Sequence, residues 1–179
     1  MKIAIIGTHS TGKTSIIRQL SLGLQEKGKR VFVVSELSRL APGEINEGAK
    51  IETQLWIQQK QKEEELKYAL YNGHVLCDRS TVDNFAYLQR IANGVDVSEI
   101  EKEAVRHMQT YDFVFKTKKL SLAAVDDGIR SVDDVFRDDI ERRIELLLKK
   151  HDISFYHLPE TLEYKKIVRY IEEVAGLRQ

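Results

Sequence analysis

Cysteine, proline, net charge and long apolar runs are all scarce in this chain of 179 residues. Its single cysteine, Cys77, excludes an internal disulfide, and no other Cys or His stands at metal-ligand spacing from it, which argues against a zinc site. Pro42 and Pro159 are the only prolines, and no Ser/Gly-rich tract or internal repeat interrupts the chain, so one domain over residues 1–179 is expected. Lys plus Arg number 28 and Asp plus Glu also 28, which leaves no global field to attract nucleic acid or an anionic bilayer. No apolar run reaches the length of a signal or membrane segment. A cytoplasmic protein with neither nucleic-acid nor membrane partners is therefore expected.

What is present is an alternation of short apolar strands with longer helical patterns. Lys2 to Ile6, Val31 to Val34, His74 to Cys77, Asp112 to Phe115 and Ile153 to His157 read as five strands. Between them, Ile16, Ile17, Leu20 and Leu24 recur at helical spacing, as do Ile140, Ile144, Leu147 and Leu148, and Ile167, Val168, Ile171 and Val174. Parallel strands need crossover connections, so the class is α/β, a parallel sheet covered by helices on both faces. Ile51 to Tyr71 is a further helix, almost wholly polar from Gln58 to Glu65, and is expected to lie partly over solvent or a cleft with few core contacts.

The strongest motif joins the first strand to the first helix: Gly7, Thr8, His9, Ser10, Thr11, Gly12, Lys13, Thr14. A triphosphate concentrates negative charge, and a loop of converging backbone N–H groups at a helix N-terminus holds it compactly. Gly7 and Gly12 permit that path, Lys13 brings a charge to the β and γ phosphates, and the Thr14 hydroxyl suits Mg²⁺. Ser15 caps or packs, and His9 is expected to face outward, over the acceptor or solvent. ATP and Mg²⁺ are the implied cofactors.

Carboxylates near the phosphates come from the C-terminal ends of parallel strands. Asp78 directly follows the third strand and suits the Mg²⁺ shell or a proton from a hydroxyl acceptor; Glu36, after the second strand, is the other candidate. Arg39 and Arg79 are placed to bind phosphate or to pair with those acids. Asp83 and Asn84 point either to ribose hydroxyls or to a solvated helix face, and Trp56 and Tyr87 either to ring stacking or, more commonly, to the core. A lid is expected at about residues 117–132, where Arg130 would offset the charge on a transferred phosphoryl group.

Four segments also carry a resemblance: Gly7 to Thr14, Glu36 to Arg39, Asp78 to Asp83, and Val125 to Ser131. With them the chain resembles P-loop small-molecule kinases of the NadR-like group, typified by a ribosylnicotinamide kinase domain, within a wider AAA-type ATPase and kinase group. Asp78-Arg79-Ser80 is similar instead to the Asp/Glu-Arg motif of the more distant thymidylate and deoxynucleoside kinases. The resemblance implies a three-layer P-loop NTPase fold of strand order 2-3-1-4-5. It implies a phosphotransferase acting on a small nucleoside or nucleotide acceptor, nicotinamide riboside-like by preference. Lys13, Asp78, Glu36 and Arg130 would then be catalytic, Glu36, Arg39, Arg79 and Asp83 would hold the acceptor, and Thr14 and Asp78 the metal; the loop at Pro159 is the positional choice for the adenine contact. The alternatives are a thymidylate or deoxynucleoside kinase, and a regulatory P-loop NTPase that hydrolyses ATP without an acceptor.

Overall fold

The computed structural model describes residues 1–118 and 133–177. Five parallel strands lie at its centre: β1 Lys2–Ile6, β2 Val31–Val34, β3 His74–Asp78, β4 Phe113–Lys116 and β5 Tyr156–His157, in the order β2-β3-β1-β4-β5. Apolar side chains alternate across β1, with Ile3 and Ile5 on one face of the sheet and Ala4 and Ile6 on the other. Helices α1 Lys13–Glu26 and α6 Tyr164–Val174 cover the first face, with Ile16, Ile17, Leu20, Leu24, Ile167 and Ile171 turned inward. Helices α3 Thr81–Ile91, α4 Ser98–Met108 and α5 Asp134–Lys150 build the core on the second face, and α2 Ile51–Ala69 packs beside α3. The expected fold class and strand order are those found.

Register matters most for function. Ile5 pairs with Asp78 and Ile6 with Lys116, so the ends of β3 and β4 arrive beside the start of the glycine loop. Val34 pairs with Cys77, which brings Glu36 to the level of Arg79.

Two expectations need correction. The last strand is two residues long, not five: His151 and Ile153 donate to Leu147 and Leu148 carbonyls, so this stretch closes α5 before the chain can enter the sheet. The polar helix α2 is also well buried, with Thr53, Gln54, Ile57, Gln58, Gln61 and Glu65 shielded from solvent. Glu65 is fully buried and accepts from Lys2 Nζ at 2.8 Å, Tyr111 OH at 2.6 Å and Gln61 Nε2 at 2.7 Å, with His107 Nε2 2.7 Å away. Hydropathy alone misreads such a face, because the polar groups gathered around Glu65 satisfy one another. Burial works against the charge on Glu65, yet these partners hold its carboxyl below the ordinary range.

Candidate active site

Gly7 and Gly12 both have left-handed backbones, φ 129° and 82°. A Cβ on Gly7 would clash with Thr117 Oγ1, and one on Gly12 would lie 3.3 Å from the Tyr164 hydroxyl, so the loop is pressed from both sides. Three side chains fix its course. Asp83 Oδ1 accepts from the Gly7 N–H at 2.8 Å, Glu141 Oε2 accepts from the Thr8 N–H at 3.0 Å, and Thr117 Oγ1 meets Thr11 Oγ1 at 2.7 Å while donating to the Ile6 carbonyl at 2.9 Å. Glu141 is itself paired with buried Lys116 at the end of β4.

Lys13 opens α1 and is buried. Its ammonium donates to the Gly7 carbonyl at 2.9 Å and the Thr8 carbonyl at 2.5 Å, which aligns it along the loop. Desolvation first, and the nearby Arg79 charge second, lower its pKa to about 8. Thr14 is exposed on the next position, and its hydroxyl donates to Asp78 Oδ2 at 2.6 Å. Asp78 is buried, its Oδ1 has no hydrogen-bond partner among the described residues, and burial together with the neighbouring Glu36 raises its pKa. Two hard oxygens side by side, one with unused lone pairs, fit a magnesium ion that arrives on phosphate oxygens and needs few protein ligands.

Glu36 and Arg79 form a buried ion pair. Arg79 donates from Nε at 3.1 Å and from Nη2 at 2.7 Å to Glu36 Oε1, and from Nη1 at 3.2 Å to the Tyr87 hydroxyl. Arg39 Nε lies 3.6 Å from the other Glu36 oxygen. Arg79 has φ 87°, a strained conformation for a long side chain, held by an N–H bond to the Ile5 carbonyl at 3.1 Å. Beside this pair a cleft of only 20 Å³ is lined by Ser38, Ile45, Asn46, Gln54, Ile57, Arg79, Asn84 and Tyr87. A separate cavity of 280 Å³ on the α1 side includes Thr14, Arg18, Val33 and Asp78. A further cavity of 680 Å³, near the start of α2, contains Arg90 and Arg143, but both arginines are tied to Asp139 there.

The structure thus brings Lys13, Thr14, Asp78, Glu36, Arg39 and Arg79 together. It corrects two side-chain placements. His9 is buried rather than outward, with Nδ1 3.0 Å from the Tyr87 hydroxyl and its ring 5.4 Å from that of Phe136. Asp83 is fully buried, and its second oxygen accepts from the Ser80 N–H at 2.9 Å and Ser80 Oγ at 2.6 Å. It braces the loop as half of a capping box and has no free edge for an acceptor. Ser10 and Thr11 are half-buried on the loop, Ser15 is exposed, and Pro159 is exposed in a turn that the Thr161 N–H closes on the Pro159 carbonyl at 2.9 Å. Of the expected lid, Thr117 is buried in the loop contacts described above; Arg130 and residues 119–132 lie outside the described residues.

Sequence reasoning missed Thr117, Glu141 and Tyr164, whose partners are remote along the chain. The spacing of Ser80 and Asp83 was a readable signal for the capping box.

A sequence model of the AAA domain matches residues 2–165. Among curated proteins none matches. Among solved structures, NadR in complex with NR superposes with a TM-score of 0.77 at 16% identity, over 98% of this chain and 51% of that one. Deoxyadenosine kinase from M. mycoides, with dCMP and dCDP bound, gives 0.69 at 16% identity over 99% and 100% of the two chains. Thymidylate kinase from Ehrlichia chaffeensis gives 0.62 at 19% over 100% and 98%. The fold is therefore shared with P-loop nucleoside and nucleotide kinases, and the chain belongs to the AAA domain family.

Proposed function

We propose that this single-domain protein is an ATP- and Mg²⁺-dependent phosphotransferase of the cytoplasm, with a nicotinamide riboside-like molecule as its favoured acceptor. The observation that carries the reading is the Thr14–Asp78 contact at 2.6 Å with the Glu36–Arg79 pair beside it, at the mouth of a phosphate-binding loop. The loop amides and Lys13 would hold the triphosphate; Thr14 and Asp78 would hold magnesium, which supplies neutralisation of the phosphate oxygens. Glu36 or Asp78 would take the proton of the attacking hydroxyl, and Arg130 would offset charge from the lid. Pro159 and its turn would border the adenine. A deoxynucleoside or thymidylate acceptor is the second reading, favoured by the Asp78-Arg79 sequence and by the kinases that share the fold.

The test is incubation with ATP, Mg²⁺ and a panel of nicotinamide riboside, deoxynucleosides and thymidylate, scoring phosphorylated acceptor against free phosphate. Acceptor-independent hydrolysis as the sole activity would remove the kinase reading. Asp78→Asn is expected to lower kcat about a hundredfold or more with little change in the binding of metal-free ATP. An unchanged kcat would take Asp78 out of the mechanism.

A further inference from the structure

The hydroxyl of Tyr87 stands where the glycine loop and the strand-end ion pair meet. Tyr87 is buried on α3, and its hydroxyl oxygen lies 3.2 Å from Arg79 Nη1 and 3.0 Å from His9 Nδ1. A guanidinium can only donate, so the Tyr87 oxygen accepts from Arg79, and the hydroxyl proton is left for His9, whose Nδ1 accepts it. The bonds therefore run in one direction, from Arg79 through Tyr87 to the glycine loop. On the other side of Arg79 stands Glu36, which accepts from Nε at 3.1 Å and from Nη2 at 2.7 Å. Buried bonds in series polarise one another and tie the positions of their members together.

At both ends of this series the backbone is held against its preference. Ser10, next to His9, has φ 56°, and Arg79 has φ 87°. Such conformations persist only while their surroundings hold them, so a change at one end reaches the other through the bonds that connect them. The loop end is the one that a triphosphate disturbs. The Lys13 ammonium sits on the Gly7 and Thr8 carbonyls, and Thr8 directly precedes His9. A triphosphate draws that ammonium onto its own oxygens and releases the carbonyl beside His9. Phe136 of α5 offers a parallel contact, with its ring 5.4 Å from that of His9 and 6.0 Å from that of Tyr87, but rings in van der Waals contact lack the directionality of a hydrogen bond.

Resting on the nucleotide-binding part of the reading above and on no choice of acceptor, we propose that the Tyr87 hydroxyl is a positioning group: it couples the phosphate loop to the Glu36–Arg79 pair, so that a bound nucleotide resets that pair before chemistry. By reciprocity, a molecule that engages Glu36 and Arg79 alters the affinity for nucleotide by the same factor.

Nuclear magnetic resonance of the intact protein reads both ends in one titration with Mg²⁺ and AMP-PNP, the imido analogue of ATP. The Gly12 and Lys13 amides report the loop, and the Arg79 Nε–H reports the ion pair. In the parent, both sets of signals are expected to shift. Tyr87→Phe keeps the ring beneath the Arg79 guanidinium, 4.8 Å away, and its contact with Phe136, and removes the hydroxyl alone. In that variant the loop amides should shift as before and the Arg79 response should be lost. His9 supplies a second pair of variants: His9→Asn keeps an acceptor oxygen at the position of Nδ1 and should retain the Arg79 response, whereas His9→Leu should lose it. An Arg79 response that survives in Tyr87→Phe or His9→Leu, or that is missing from His9→Asn, overturns the proposal. So does a parent in which the loop amides shift and Arg79 does not. If AMP-PNP shifts neither set, nucleotide binding itself fails, and the coupling falls with it.

Discussion

Lys13 is the residue whose chemistry follows most directly from its surroundings. In the free protein its pKa is lowered to about 8, so near pH 9 most molecules carry a neutral Lys13, and near pH 6.5 almost all carry a charged one. A bound triphosphate favours the charged form. Binding at pH 9 must therefore take up a proton, and affinity for ATP should fall as pH rises through 8, by at most tenfold per pH unit, while staying flat below about pH 7. Calorimetric titration in buffers of different ionisation enthalpy measures that proton directly. Equal proton uptake at pH 6.5 and pH 9 would mean that Lys13 does not meet the phosphates. Lys13→Ala should abolish the pH dependence and weaken binding by about a hundredfold, the worth of a charge-assisted hydrogen bond.

At the scale of elements, α2 shows what pattern reading sees and what it does not. Its existence and start at Ile51 were legible because helical propensity and flanking signals are local. Its burial was not, since Gln61, Glu65, Lys2, His107 and Tyr111 come from three separate parts of the chain and only the fold unites them. The same division holds at the site. The glycine loop and the strand-end acids announce themselves in sequence, whereas Glu141 on the Thr8 amide and Thr117 against Gly7 depend on how β4 and α5 dock. Glu65→Leu tests the buried cluster: it strands the Lys2 ammonium, so unfolding in urea should show a loss of about 3–5 kcal/mol. Because Lys2 begins β1, at the end of the sheet away from the glycine loop, ATP affinity should stay within twofold. A loss below about 1 kcal/mol would mean that Lys2 and His107 find water instead.

Across the whole molecule, the glycine loop joins two cores that lie on opposite faces of one sheet. β1 contributes Ala4 and Ile6 to one core and Ile3 and Ile5 to the other, and the loop follows directly from its end. A ligand that holds the loop therefore restrains both cores at once, and its binding free energy should appear as global stability. At one hundred times its Kd a ligand adds about 2.7 kcal/mol. For a chain of this size each kcal/mol moves Tm by roughly 2–4 °C, so Mg²⁺ and ATP should raise Tm by about 5–10 °C. ATP with a chelator should give a smaller rise, because the Thr14 and Asp78 oxygens then have no cation to share with the phosphates. Asp78→Asn separates the two contributions: it should keep the increment due to ATP alone and lose most of the increment due to Mg²⁺. If Mg²⁺ adds as much in that variant as in the parent, the metal is held without Asp78, and Asp78 is left with the proton-accepting role alone.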